Sequence, residues 1–522
     1  MQAKVIALAD INATLAPHRA RGARIVLCHG TFDLVHPGHI VHLEEAKALG
    51  DLLVVSVTAD AFVRKGPGRP YFNDALRAQS LAALSAVDYV VIIPHPGVRE
   101  AMLQVRPAIY CKGEEYRNPQ QRPPGSLDED ILAAREVGAR VEFVGSFVSS
   151  STRLLNTGLS PYDAGVRVFC ETLAQSCPPD AFAEIVESFR TLRVLVVGDI
   201  IFDRYTQVAI QGLTSKTPVM STRFVHQDVH GGGALACFRH IREFCPDAAL
   251  VGLVGREPWV HAVLRNYAVQ DQPGILAIDG LTSIVKERFI EPVVEGKEVR
   301  PLFAVASLDT TPPPPAVHAQ LLEHLSRIVA DYDLVIAMDF GHGAMSEPVR
   351  DLLQQKARFL AVNCQTNSAN FGFNVLTHRY RRADSFSLDR TELHLAAGAR
   401  RRSYREDLEH LSTSLGARYA WFTRGPEETI GLKSEVGPAL RAGRPAVESC
   451  HLPPFEHRII DATGAGDAFC ALASLAAVRN LSLPLATFLG QLAGATAVRW
   501  VGNAEAIQKS TLIRGAQTML RT

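Results

Sequence analysis

The sequence predicts an α/β protein of two domains, and three observations carry the prediction. The chain is 522 residues long, enough for two or more domains of roughly 100 to 200 residues each. Two β-branched runs, "RIVLCHGTFD" from Arg24 and "RVLVVGDIIFD" from Arg193, each break at a polar, glycine-containing turn. Such runs belong to strands buried on both faces. After the first run, apolar stretches alternate with helical patterns, the signature of βαβ units and a parallel sheet.

Residues 1–22 read as a leader segment without the basic patch and apolar core of an export signal. The first domain is placed at 23–157. There "EEAKALG" closes a helix, "LLVVSVTAD" is a strand, "DALRAQSLAAL" a helix and "DYVVII" a strand. Residues 158–190, broken by Cys177-Pro178-Pro179, read as a partly helical connector, and the second domain is placed at 191–522. The proline cluster from Thr310 stiffens one loop inside it. Lys+Arg and Asp+Glu balance at 54 each, so no bulk field draws the chain to nucleic acid or to an anionic membrane. No apolar stretch reaches about 18 residues. Small-molecule partners are therefore expected. Nine cysteines without a CxxC pair point to reduced thiols and a cytoplasmic location.

The first candidate site is "HGTFDLVHPGH", His29 to His39. His36 and His39 are three apart, so where the Gly38 turn opens a helix they project to one side with its free N–H groups. The pair is expected to form a cationic cradle for a triphosphate, stabilising charge on the α-phosphate as pyrophosphate leaves. The second is "DATGAGDAF", Asp461 to Phe469, ahead of the apolar run "CALASLAAV". Gly464, Ala465 and Gly466 would expose backbone N–H groups at a helix N-terminus, with Asp467 just inside. Phosphoryl transfer to an alcohol needs such an anion hole beside a base.

The first stretch, continued through "KGEEY" (Lys112 to Tyr116) and "SSSTRLL" (Ser149 to Leu155), resembles the cytidylyltransferase-like nucleotidyltransferases over residues 23 to 157. The resemblance implies a Rossmann-like HxGH domain. It implies that Thr31 and Phe32 line the nucleotide entry, that His36 and His39 bind the triphosphate, that Lys112 contacts phosphate, and that Asp33 meets the substrate. Ser150, Ser151 and Thr152 would grip phosphate at a helix N-terminus. Within the family the segment is most similar to the adenylyltransferase half of bifunctional heptose-phosphate enzymes. Where glycerol-phosphate cytidylyltransferases carry Arg-Thr-Glu-Gly, this chain has "FVGSFVSSST", which favours ATP over CTP.

Residues 191 to 505 resemble the ribokinase-like (PfkB) sugar kinases, whose fold is an α/β sandwich with a small β lid. By that resemblance Asp199 and Asp203 face sugar hydroxyls and Gly231, Gly232 and Gly233 form the turn near the sugar. "TRGPEE", with Thr423 and Gly425, lies near the nucleotide base; Asp467 is the catalytic base; and "DRTE", with Asp389 and Glu392, is associated indirectly with Mg²⁺ arriving with the nucleotide. Three positions depart from the pattern: Leu235 stands where the family has a sugar-contacting Asn, Asp389 replaces an Asn, and Asn363-Cys364-Gln365 replaces an Asp-Pro-Lys run. The domain order is also the reverse of that in the heptose enzymes. The resulting reading is a bifunctional nucleotide-sugar enzyme, a sugar (heptose-like) phosphate kinase and a sugar 1-phosphate nucleotidyltransferase, forming a homodimer through the kinase-like domain. Its alternatives are a monofunctional nucleotidyltransferase whose second domain only binds ligand or dimerises, and a sugar sensor without catalysis.

Overall fold

The structure, a computed structural model, describes residues 4–95, 97–117, 126–145, 162–294, 297–309, 311–398, 403–434 and 447–521. The chain forms two compact units, one of Met1–Asp163 with Arg514–Thr522, the other of Ala164–Ile513.

The first unit is built on five parallel strands, β1 (Ile25–Gly30), β2 (Leu52–Thr58), β3 (Tyr89–Ile93), β4 (Ile109–Gly113) and β5 (Arg140–Val144), in the order β3-β2-β1-β4-β5. Alternate residues of β1 serve opposite faces, as the period of two demands. Ile25 and Leu27 join a core with Met102 and Tyr110, whereas Val26 and Cys28 join one with Leu43 and Leu81. Burial on both faces is why β1 reads as an unbroken apolar run. The strand order reverses between β1 and β4, and a crevice at such a switch point is where open α/β sheets bind ligands.

Two boundaries differ from the sequence reading. Residues 1–22 are not a separate leader: helix Leu8–Ala20 buries Ile11 and Leu15 completely in the first core, and Val5 bridges Val90. The segment Arg514–Thr522, placed by sequence in the second domain, belongs to the first unit. There a Cβ on Gly66 would stand 2.9 Å from the Gly515 Cα, an approach that a larger residue at 66 would prevent. Of the connector, helices Ala164–Ser176 and Phe182–Ser188 belong to the second unit, where Phe182 meets Phe488 edge-on at 6.1 Å.

The second unit has a nine-stranded sheet and a four-stranded one. The large sheet uses β6 (Val194–Gly198), β9 (Ala249–Gly255), β10 (Ile275–Ile278), β13 (Leu334–Asp339), β14 (Leu360–Cys364), β15 (Ser385–Leu388), β16 (Tyr419–Thr423), β17 (Thr429–Ser434) and β18 (Val447–Leu452). Their order is β10-β9-β6-β13-β14-β15-β16-β17-β18, with every pairing parallel except the last two, β16 with β17 and β17 with β18. The small sheet, ordered β12-β11-β7-β8, joins the long hairpin β7 (Ile200–Leu213) and β8 (Met220–Gly233) to β11 (Ile284–Ile290) and β12 (Pro301–Ser307). This is the β lid of the expected α/β architecture. Leu321, Val349 and Leu408 from three helices cover one face of the large sheet. Helix Ala465–Val478 lies on β13, β14 and β15, wedged between helices Ala234–Arg242 and Leu483–Ala497. A helix so enclosed must be apolar all round, which accounts for "FCALASLAAV".

All nine cysteines are buried and free. Among the described residues no helix is long and apolar enough to cross a membrane.

Candidate functional site

In the first unit β1 ends at Gly30 and the chain turns through Phe32, whose φ of 49° lies in the left-handed region, a conformation non-glycine residues hold only under constraint. The constraint is visible: the Phe32 ring packs edge-on against His39 at 5.2 Å. His36 caps helix Pro37–Ala48, its Nδ1 accepting the Gly38 N–H at 3.1 Å, which places the ring's proton on Nε2. The His39 ring stacks on that of His36, centroids 3.9 Å apart. The two imidazoles are thus brought together at a helix N-terminus. Burial, then the charges of His36, Lys65 and His42, push His39 down to about 3, so His39 is disfavoured as a cation in the cradle the sequence suggested. Among the described residues nothing hydrogen-bonds the buried His39 Nδ1.

Lys112 ends β4 on the other side of the switch point. Its Nζ lies 2.8 Å from Asp130 and about equally far from the Tyr110 and Tyr116 rings, at 5.6 and 5.5 Å. Its charge adds to the burial that pushes His29 down to about 4. Asp33 is corrected from a substrate contact to an internal anchor. One carboxylate oxygen accepts the N–H groups of Tyr71 (2.6 Å) and Phe72 (3.1 Å), the other the Arg69 guanidinium (3.1 Å). Arg77, fully buried, reinforces the same loop by donating to the carbonyls of Thr31, Thr58 and Phe72 and to Asp60. Sequence reasoning missed Lys65, which burial pushes down to about 8 and whose charge acts on His39; the run "RKGPGR" was its signal. Ser150, Ser151 and Thr152 lie outside the described residues.

In the second unit a cavity of about 670 Å³ gathers Asp203, Gly233, Thr423, Gly425, Gly464, Ala465, Gly466, Asp467, Asp389 and Glu392. Gly464 begins helix Ala465–Val478 with φ 85°, and a Cβ there would fall 2.0 Å from Asn503 Oδ1; only glycine fits. Asp467 follows one turn inside. Burial, then Asp203, raise it to about 7 against the opposing influence of Lys286 and of the Gln365 amide, whose Nε2 donates to its Oδ1 at 3.0 Å. A carboxylate poised near neutrality suits a general base. Asp203 accepts from Arg288 (2.6 Å) and from Asn503 Nδ2 (3.2 Å). Its Oδ2 would lie 2.2 Å from a Cβ on Gly232, so the glycine turn admits the carboxylate.

One expectation is corrected here, and two are given their structural setting. Asp199 does not face sugar: fully buried, it accepts the N–H groups of Phe340, His342 and Ala344 and so clamps the turn after β13. Of the glycine turn Gly233 lines the cavity, Gly232 abuts Asp203, and Gly231 is pressed against Leu235, whose side chain a Cβ would meet at 2.6 Å. Asp389 and Glu392 form a capping box on helix Arg390–Ala397, each accepting the other's backbone N–H at 2.8 Å. They still line the cavity, and burial followed by Asp389 raises Glu392 to about 8. Residues the sequence reading did not assign to the site complete the wall. Lys286 and Arg288 come from β11, and Asn503 reaches in from near the end of the unit. Among the described residues no cluster of three or more His, Cys, Asp or Glu side chains could hold a metal.

Comparison with known proteins agrees with this division. Residues 27–152 match the cytidylyltransferase-like family and residues 319–509 the pfkB family of carbohydrate kinases. The two matched stretches lie in one polypeptide. Over 164 residues it is 37% identical to the bifunctional protein HldE of Geobacter metallireducens, a stretch that is 31% of this chain and 32% of that protein. Over 158 residues it is 40% identical to HldE of Pelobacter propionicus, 29% and 31% of the two chains. The matched stretch thus spans about a third of the length of these relatives. The phosphofructokinase-2 structure from Escherichia coli is 15% identical with a TM-score of 0.46, covering 62% of this chain and 97% of that one. Ribokinase from Thermotoga maritima is 14% identical at 0.45, covering 62% and 99%.

Proposed function

We propose that the protein is a bifunctional enzyme of nucleotide-sugar synthesis: its pfkB-family unit phosphorylates a heptose-like sugar or sugar phosphate with ATP, and its cytidylyltransferase-like unit couples a sugar 1-phosphate to a nucleotide, ATP rather than CTP, releasing pyrophosphate. The observation that carries it is Asp467, held near neutrality one turn inside a helix whose N-terminal Gly464-Ala465-Gly466 faces a cavity. The word "bifunctional" in the relatives' name supports pairing the two activities.

In the kinase unit the acceptor hydroxyl gives its proton to Asp467, its oxygen bonds the γ-phosphorus, and the bond to the β,γ-bridging oxygen breaks, ADP leaving with the electron pair. The backbone N–H groups at the start of helix Ala465–Val478 and the Lys286 ammonium balance the charge on the transferred group. In the nucleotidyltransferase unit the sugar-phosphate oxygen attacks the α-phosphorus and pyrophosphate departs. His36, the start of helix Pro37–Ala48, Lys65 and Lys112 are the groups we assign to the triphosphate. A divalent cation, Mg²⁺, arriving with the nucleotide would neutralise phosphate charge. Glu392 and Asp389 suit it, through water, because both line the cavity and Glu392 is raised by burial and then by Asp389 and Asp467, the condition of a carboxylate that gains from a cation.

Dimerisation through the kinase-like unit draws support from the apolar side chains its lid leaves exposed, Leu213, Phe224 and Phe303 among them. Nine buried free thiols support a reducing, cytoplasmic setting. The sequestration of Asp199 and Leu235 favours one second reading, in which the pfkB-family unit binds ligand without turnover. A sugar-phosphate panel assayed separately for ADP and for pyrophosphate decides between them. Both products are expected; pyrophosphate alone selects the second reading.

A further inference from the structure

Where the resemblance to heptose kinases leads one to expect a lysine, this chain has Gln365, and the residue is neither a spectator nor loosely held. It is the first residue after β14, at the carboxyl end of a central strand, where ligands of open α/β sheets are met. Its main chain is fixed on both sides. The Gln365 N–H donates to the Asp339 carbonyl at 2.9 Å, and its carbonyl accepts Asn374 Nδ2 at 2.9 Å. That same Asn374 amide also reaches the Asp339 carbonyl at 2.9 Å, and Asn367 and Asn370 both donate to the Phe340 carbonyl. The asparagines of "QTNSANFGFN" thus hold the segment against the turn after β13. Only the Gln365 side chain is left to act in the cavity, and its Nε2 donates to Asp467 Oδ1 at 3.0 Å.

We propose that Gln365 is the positioning residue of the kinase centre, its amide pinning one oxygen of Asp467 so that the other is presented to the acceptor hydroxyl. This rests on the kinase reading above. A neutral donor does what a lysine in its place could not. An ammonium at hydrogen-bond distance would hold Asp467 as a tightly paired anion and weaken it as a base. The amide fixes the carboxylate and still tolerates the proton that Oδ2 takes from the acceptor. The charged and titratable groups around Asp467 are Asp203 on β7, Lys286 on β11, Glu392 on helix Arg390–Ala397, and the thiols of Cys237 and Cys470. Among the described residues none of these groups hydrogen-bonds Asp467, and its side-chain donor is Gln365.

The test compares the full-length wild type with Gln365→Met, which keeps the length and removes the donor, and Gln365→Lys, which supplies a charged one. ADP formation from ATP and a heptose phosphate is measured across pH 5.5–9. In parallel, the Asp467 carboxyl is titrated by ¹³C NMR of aspartate-labelled protein, its signal identified by its loss in Asp467→Asn. Gln365→Met should lower kcat by about 10- to 100-fold, the scale of a misplaced reacting group, leave the KM for ATP within about twofold, and move the acid limb to higher pH. Gln365→Lys should move the limb and the carboxyl titration to lower pH. A Gln365→Met enzyme with wild-type kcat, or an Asp467 titration that is the same in all three proteins, overturns the positioning role. Absence of ADP from the wild type overturns the kinase reading instead, while the NMR titration still decides whether Gln365 governs Asp467.

Discussion

The rings of His36 and His39 lie 3.9 Å apart, centroid to centroid, with their planes inclined by 29°. Two imidazoles that close cannot both hold a proton's charge cheaply, and burial adds to the penalty on His39. His39 is therefore disfavoured as a cation, and on the proposed reading Lys65 and Lys112 supply the positive charge for a triphosphate.

Replacing His39 by Ala removes the stacked partner and the buried Nδ1. Pyrophosphate release should fall by at least about 100-fold, the usual worth of a positioned group at a site of developing charge, with the near-UV circular dichroism unchanged. A rate near that of the wild type would remove His39 from the mechanism.

The same burial sets a pH dependence of stability. His39 is held at about 3 and His29 at about 4, both below the ordinary histidine value near 6.5. Between those values the unfolded chain binds protons that the folded chain refuses, so stability is lost as pH falls from about 6.5 and regained as it rises. Urea midpoints for the wild type should drop between pH 7 and pH 5. The drop should be smaller in His29→Asn, which removes one such group.

Asp467→Asn keeps the shape of the base and removes its proton affinity. Sugar-dependent ADP formation should disappear, ATP binding by calorimetry should persist, and pyrophosphate release should be unaffected, since the two chemistries sit in different units. In the wild type, kcat for ADP formation should fall as pH drops through about 7, where the raised carboxylate takes up its proton.

Arg77→Met leaves the carbonyls of Thr31, Thr58 and Phe72 and the carboxylate of Asp60 without their shared donor. Removing one partner of such a buried, charged network costs about 3–5 kcal/mol. Differential scanning calorimetry should show the loss in the first unit's transition and leave the second unit's in place.

The parts of the site legible in sequence are those made by neighbours along the chain. HPGH and GAGD each lie within a few residues, so spacing alone put their side chains at a helix start. What stayed hidden depends on partners far away: Asn503 meets Asp203 across 300 residues, and Gln365 meets Asp467 across 102. Asp33 and Asp199 misled for the complementary reason. Each has the position of a ligand-facing acid after a strand, but backbone N–H groups from remote loops claim both carboxylates. "DRTE" was open to a purely local reading, because an acid followed three residues later by Glu is also a capping box, and here it is one.

The first unit is discontinuous in sequence, since Arg514–Thr522 completes a body otherwise made of Met1–Asp163. During synthesis its strands leave the ribosome long before the segment that finishes it, and the whole second unit is translated in between. The emerging first unit must therefore wait, unfinished, for some tens of seconds at the usual rate of about 5–20 residues per second. This unit therefore reaches final form only after the other has had time to fold, so the order of the two units along the chain is not their order of completion.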